Sequence, residues 1–254
     1  MLKKRLIAVV TVKDGWAVQS FGYRRQLPLG RPEILVQNFD RWGADEILVQ
    51  CIDRSVKGLG PDLEVLTKIS KLGIATPLIY SGGIHCWEDA VKVVSLGADR
   101  VMVDSMLLDS PQSLEGIARK LGTQAVIAHL PARVCKDGLM ALDHRDHNEQ
   151  PIDKWLEKLP LNWISELMVT DWSHEGCAGL FDERLLEIGT RVNKPLLCFG
   201  GISQEEQIQR VLANPLVVAA GVGNFLSYQE HALQLLRGSP ENHRMRRPYY
   251  EANS

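Results

Sequence analysis

The sequence predicts an α/β fold: a closed parallel (β/α)8 TIM barrel built from two half-barrel repeats. Three observations predict it. Eight short β-rich runs are separated by helical patterns, the runs are almost continuously apolar, and the second half of the chain re-reads the first.

The β-rich runs span 5–11, 46–51, 77–80, 100–103, 125–129, 166–170, 195–198 and 216–220. Stretches between them, such as 87–96 and 204–212, mix charged and apolar residues at helical spacing, so each strand is followed by a crossover helix. Strands without polar alternation imply a sheet covered on both faces. Alternating strands and helices fit either a closed barrel or an open doubly wound sheet, and strand number alone does not choose. The repeat does. Pro77-Leu78-Ile79-Tyr80-Ser81-Gly82-Gly83-Ile84 returns as Pro195-Leu196-Leu197-Cys198-Phe199-Gly200-Gly201-Ile202, at an offset of about 120 residues. Glu46-Ile47-Leu48-Val49 likewise returns as Glu166-Leu167-Met168-Val169. Two four-strand halves of this kind close into one barrel.

A chain of 254 residues matches the roughly 250 that such a barrel uses. We therefore expect a single domain over 1–254, with half-barrels at about 1–121 and 122–240. A basic, solvated tail over 241–254 carries Arg244, Arg246 and Arg247. Hydrophobic residues at 45% and charged residues at 24% supply a large core and a soluble surface. A formal charge of −2 argues against a nucleic-acid partner, because phosphate neutralisation needs clustered cations. No apolar run approaches the length of a membrane span, and Lys3-Lys4-Arg5 leads into a strand, so no membrane role and a cytoplasmic location are expected. Cys51, Cys86, Cys135, Cys177 and Cys198 are odd in number and widely spaced, which suggests neither disulfides nor a zinc ribbon.

In a barrel the reactive face lies at the C-terminal strand ends. Gly82-Gly83 and Gly200-Gly201 each follow a strand and precede a helix, a placement that lets backbone amides hold a phosphate. The simpler reading is a tight turn that only glycine allows. Gly223 and Asn224 would complete the second site, and Ser105 the first, although Asp104 beside it would repel a phosphate. Asp53, Asp104, Asp171 and Glu175 stand near upper strand ends as candidate acids or bases, or else as solvated charges and helix caps. His144 and His147 have metal-ligand spacing, but they sit in a polar, hairpin-like insert over 136–150 and read better as a surface pair. His129 and Cys51 read as packed or hydrogen-bonded groups near the mouth. No metal and no cofactor is expected.

The run from Arg5 to Gly15, the Gly-Ala-Asp elements at Gly43 and Gly97, and the turns Ser81-Gly82-Gly83-Ile84 and Phe199-Gly200-Gly201 resemble the cyclase subunit of imidazole glycerol phosphate synthase over nearly the whole chain. The resemblance implies a bis-phosphate ribulosyl ligand, ammonia delivered along the barrel axis by a docked glutaminase, and ring closure by two aspartates at the ends of strands one and five. Here Thr11 occupies the first of those positions, and Leu130 is assigned to the second. General acid–base groups contribute about 10²–10⁴-fold each, so their loss removes most of the expected cyclisation. Cys51, Gln19 and Glu175 depart from the family's aspartate, lysine and aspartate at the mouth.

The opposite end of the barrel is kept. The family's ammonia gate of one arginine, one lysine and two glutamates is matched by Arg5, Glu46, Arg100 and Glu166, with arginine in place of lysine at Arg100. Such a ring could equally staple the barrel base. Asp99 matches the family's glutaminase-docking aspartate.

The stretches Ile52-Asp53-Arg54-Ser55-Val56 and Gly60-Pro61-Asp62-Leu63-Glu64 resemble a subgroup encoded with surface-polysaccharide genes. That resemblance implies amidination of an acetamido nucleotide sugar together with a glutaminase and a separate sugar amidotransferase. The competing expectations are cyclase activity for histidine synthesis and a noncatalytic ammonia conduit that activates the glutaminase.

Overall fold

A computed structural model describes residues 3–229, 231–238 and 245–246. Eight parallel strands close into a barrel: β1 (Arg5–Lys13), β2 (Glu46–Cys51), β3 (Leu78–Ser81), β4 (Arg100–Val103), β5 (Val126–Cys135), β6 (Glu166–Asp171), β7 (Leu196–Phe199) and β8 (Val217–Val222). Closure is made where β8 pairs with β1, Arg5 opposite Ala219, and where β6 pairs with β5, Glu166 opposite Ile127. Helices such as Pro32–Arg41, Leu63–Ser70, Trp87–Ser95, Ser113–Leu121 and Glu205–Ala213 stand between strands. Their starts follow local rules: Pro32 opens its helix, and the Asp62 carboxylate accepts from the Val65 amide at 3.0 Å.

Side chains alternate along each strand, so two apolar layers form. Ile7, Val9, Leu48, Ile79, Met102, Ile127, Met168, Leu197, Phe199 and Ala219 fill the barrel interior. Leu6, Ala8, Val10, Ile47, Val49, Leu130, Leu167 and Val169 form part of the outer layer beneath the helices. This parity decides which residues reach the mouth.

The repeat is visible in the architecture. The first strand of each half continues into an antiparallel hairpin: β1 into Trp16–Phe21 and Arg25–Gly30, and β5 into Gly138–Asp143 and Asn148–Pro151. That continuation is why β5 runs on to Cys135 instead of stopping at His129. The two Gly-Ala-Asp elements also act alike. Asp45 accepts from the Leu6 amide at 2.7 Å and Asp99 from the Leu78 amide at 2.8 Å, each tying a strand start to its neighbour.

The paired glycines answer to crowding. Gly82 has φ +118°, and a Cβ there would lie 2.2 Å from the Cys51 carbonyl oxygen; Gly200, at φ +94°, would meet that of Asp171 at 2.4 Å. In both halves the turn after the third strand packs on the end of the second, and no side chain fits between them.

Of the basic tail, only Met245 and Arg246 lie among the described residues. They are not a solvated end: Met245 is buried and bridges Lys4, and the Arg246 amide donates to the Lys4 carbonyl at 3.0 Å. The Arg246 side chain itself stays exposed. Arg244 and Arg247 fall outside the described residues. No described helix is long and apolar enough to cross a membrane.

Candidate functional site

At the base of the barrel the four charges predicted from sequence meet in a closed ring. Arg5 reaches Glu46 at 3.1 Å and Glu166 at 2.6 Å, while Arg100 reaches the same two glutamates at 3.5 and 2.6 Å. Each comes from the first residue of its strand, the side facing the axis, so strand register alone brings them together. Their side chains are only 7–14% exposed. Burial raises the Glu46 carboxyl above its ordinary range, against the opposing pull of Arg5 and Arg100. Alternating signs offset desolvation that none of the four could bear alone. Asp99, just before Arg100, is exposed on this same end.

The mouth at the other end is small and polar. A cavity of about 60 Å³ is lined by Tyr23, Gln50, Ser55, Ser81, Asp104, His129, Pro131 and His144, with Cys51, Ile52, Val56 and Gly82. Asp104, at the end of β4, turns one carboxylate oxygen toward Nδ1 of both His129 and His144, 3.5 Å each. Its other oxygen accepts from the Ser105 amide at 2.5 Å. Burial by itself would raise this carboxyl, but facing His144, the bond from His129 and the Ser105 amide outweigh it and hold Asp104 well below the usual carboxylate range. His129 is buried and bonds Thr170 through Nε2 at 2.9 Å. The mouth thus carries one ionised carboxylate beside two imidazoles.

A lid covers it. Tyr23, at φ +57° in the turn of the first hairpin, sends its phenol into the cavity wall. Burial, and next the charge of Glu175, push that phenol well above its usual range. Glu175 holds the turn from the loop after β6: its carboxylate accepts from the Tyr23 amide at 3.4 Å, and its carbonyl from the Gly22 amide at 3.0 Å.

Of the four carboxylates named from sequence, Asp104 lines the mouth and the other three lie elsewhere. Asp53 opens onto a separate cleft of about 470 Å³ between the loops after β1 and β2, where it pairs with Lys57 at 2.8 Å. Asp171 points outward and organises its own loop, accepting from Ser173 Oγ at 2.8 Å, His174 Nδ1 at 2.7 Å and the Asp182 amide at 2.9 Å. Glu175 is buried and serves the lid.

Leu130 needs correction as well. It belongs to the outer apolar layer, and the β5 residues that reach the mouth are its two neighbours, His129 and Pro131. Strand parity makes a one-residue shift a change of face. Thr11 shares its neighbour's register with Gln50, which lines the cavity. No described carboxylate therefore stands at either position implied by the resemblance.

The first expected phosphate site is filled by the protein itself: the Gly83 amide donates to Ser55 Oγ at 3.3 Å, and Ser105 Oγ bonds the same hydroxyl at 3.2 Å. In the second, Gly200 and Gly201 pack against the loop after β6, and Asn224 is spent pinning the hairpin at Ser20, donating to its carbonyl at 2.7 Å. His144 is not the surface residue expected; its hairpin folds it over the mouth, while His147 stays exposed. Among the described residues no cluster of His, Cys, Asp or Glu is placed to hold a metal ion.

Barrel, basal ring and two-hairpin layout can be set beside known proteins. The profile of the family described as histidine biosynthesis protein matches residues 5–232. This chain belongs to that family. Among its relatives, the imidazole glycerol phosphate synthase subunit HisF of Natranaerobius thermophilus is 25% identical over 93% of this chain and 95% of its own length. The HisF of Exiguobacterium sibiricum is 28% identical, covering 82% and 84%, and that of Staphylococcus aureus strain Newman 28%, covering 93% and 96%. In this chain the basal ring is closed, and at the mouth Asp104, His129, His144 and Thr170 converge. Sequence reasoning treated these residues singly. The signal that joins them is parity: His129 and Thr170 lie on the inward face of paired strands, two residues beyond Ile127 and Met168 of the inner layer.

Proposed function

We propose that this barrel receives ammonia from a glutaminase docked at its base and delivers it for amidination of an acetamido group on a nucleotide sugar, the acceptor chemistry being carried by a separate sugar amidotransferase. The observation that carries this reading is a contrast between the two ends. The ring of Arg5, Glu46, Arg100 and Glu166 is closed and buried, while neither Thr11 on β1 nor His129 and Pro131 on β5 supplies a carboxylate at the positions the resemblance implies. The glutaminase would dock on the basal face around Asp99. Neutral ammonia would then travel the apolar interior between Ile7, Leu48 and Met168, a path on which ions are disfavoured. The mouth cavity of about 60 Å³ has room for a few water-sized molecules, whereas a pocket for a ligand of nucleotide size needs roughly 300–1,000 Å³, which supports placing the acceptor outside the mouth. The sugar substrate rests on the resemblance of the loop from Ile52 to Glu64.

The test is reconstitution. The chain is expected to co-purify with a glutaminase, and the pair with a sugar amidotransferase is expected to give glutamine-dependent amidination of an acetamido nucleotide sugar. Failure to form the complex, or amidination unaffected by omitting the barrel, would overturn the reading.

A second reading, cyclisation of the ribulosyl substrate as in histidine synthesis, is favoured by the names of the relatives and by the Asp104–His129 pair as substitute acid and base. In it Gly82, Gly83 and Ser105 on one side, and Gly200, Gly201, Gly223 and Asn224 on the other, would hold the two phosphates once the lid opened. Turnover of that substrate with ammonium salt would establish it, and no turnover would exclude it.

A further inference from the structure

A second concavity lies beside the mouth. The cleft of about 470 Å³ is walled by the turn after β1, the start of helix Pro32–Arg41, the loop after β2 and the start of helix Leu63–Ser70. Its volume falls within the roughly 300–1,000 Å³ that small-molecule sites occupy. One loop forms a side of both cavities: Ile52, Ser55 and Val56 line the mouth, while Asp53, Arg54 and Lys57 line the cleft.

The lining excludes several kinds of guest. The carboxylates of Asp14, Glu33, Asp53, Asp62 and Glu64 outnumber the four cations of the cleft. Each cation is also engaged: Lys57 with Asp14 and Asp53, Arg31 with Glu33 at 2.7 Å, Lys68 with Glu64 at 2.7 Å, and Arg54 with the Gly60 carbonyl at 2.6 Å. A phosphate would therefore meet more negative charge than positive. An apolar ligand would have to strip water from these charged groups, which is costly. What fits is a neutral guest with several hydroxyls and one flat apolar face. Trp16 supplies the flat partner, an aromatic side chain 56% exposed on the wall of the cleft. Asp53 and Glu33 supply acceptors; they are only 7% and 8% exposed, and Lys57 and Arg31 hold them in place, so little ordering is left for binding to do. A carboxylate offers about four lone-pair positions, so pairing with one cation leaves others for hydroxyl donors.

We propose that this cleft is a saccharide site, in which a neutral pyranose ring lays its C–H face on Trp16 and donates hydroxyls to the carboxylates of Asp53 and Glu33. Hydroxyls accept as well as donate, so Lys57 and Arg54 can serve the same ring while keeping their own partners. Charge-assisted hydrogen bonds of this kind are about twice as strong as neutral ones, which offsets the hydration the sugar gives up. That the bound sugar is the one to be amidinated rests on the ammonia-supply reading above. In that reading the ring sits one loop away from the mouth, and the separate amidotransferase acts on its acetamido group.

The experiment uses the full-length barrel alone, with ¹⁵N-labelled tryptophan. The Trp16 indole resonance is the one missing from Trp16→Phe. It is followed while N-acetylglucosamine or its uridine diphosphate ester is added, with uridine diphosphate and inorganic pyrophosphate as the other arms. A saturable shift with both sugars and none with the two sugar-free anions is expected, together with saturation transfer from the protein to the pyranose ring protons. By saturation transfer, Trp16→Ala is expected to weaken sugar binding by at least about fivefold through loss of the aromatic face, while Trp16→Phe keeps most of it. Asp53→Asn is expected to weaken it by about tenfold, the loss typical of a hydrogen bond to a charged group. Circular dichroism checks that each variant folds, and the variants of the exposed Trp16 decide the matter if the Asp53 variant does not. No saturable response to either sugar, an equal response to pyrophosphate or uridine diphosphate, or unchanged affinity in folded Trp16→Ala would overturn the site. Complex formation with the glutaminase is measured separately, so failure of the saccharide site is distinguishable from failure of the proposed function.

Discussion

Arg5 Nη2 lies 2.6 Å from Glu166 Oε1, joining β1 to β6 across the base of the barrel, and Arg5 Nη1 reaches Glu46 on β2 at 3.1 Å. One guanidinium therefore serves two buried carboxylates. Arg5→Ala would leave both to Arg100. We expect a loss of about 3–5 kcal/mol in urea unfolding, the range for stripping one partner from a buried ion pair. The quadruple variant Arg5→Met, Glu46→Gln, Arg100→Met, Glu166→Gln is expected to recover much of that loss, because no charge of the ring is left uncompensated. Equal losses in the two variants would mean that the ring's charges do not matter to stability.

Glu175 links the lid to the pH dependence of stability. Burial raises its carboxyl above the ordinary 4.5, because the ionised form loses its hydration in the fold. As pH climbs through about 4.5, the unfolded chain ionises this group before the folded one does. The stability contributed by protonated Glu175 is complete below that pH and is lost as pH rises through the folded value. Glu175→Gln should remove this component, so its unfolding free energy between pH 4 and 8 should fall less steeply than that of the parent protein. Identical slopes would show that Glu175 is not the group responsible.

The register of β5 can be tested by placing a carboxylate on each face. Leu130→Asp puts a charge in the apolar layer beneath the helices and should cost about 3 kcal/mol or more. Pro131→Asp puts it in the polar mouth near Asp104 and should cost about 1–2 kcal/mol, mainly through like-charge repulsion. A reversed order in chemical denaturation would restore Leu130 as the mouth residue.

Crowding at the glycine turns makes a third contrast. Gly82→Ala and Gly200→Ala force a methyl against the carbonyl oxygens of Cys51 and Asp171, whereas Gly58 at φ +62° has nothing within 4 Å of an added Cβ. Gly58→Ala should cost only the strain of its backbone, about 1 kcal/mol. The other two should exceed it by several kcal/mol or prevent folding, as read by soluble yield and thermal unfolding.

Hydropathy and repetition were enough to determine the barrel, because eight apolar strands alternating with helices leave few ways to close a sheet covered on both faces. The family resemblance also placed Arg5, Glu46, Arg100 and Glu166 together, and the structure brings them together because each begins a strand and strand starts converge at one end. What the sequence could not determine was the state of the mouth. Asp171 and Glu175 looked available because they follow a strand, yet backbone amides and loop contacts consume them. Leu130 and Pro131 are neighbours in the chain and lie on opposite faces of the sheet. Asp104, His129, Thr170 and His144 come from two strand ends, a strand interior and a hairpin tip, spread between residues 104 and 170 of the chain. Only closure of the barrel and folding of the hairpins over it bring those groups within hydrogen-bonding range, because side-chain direction is set by the pleat and loop position by tertiary packing.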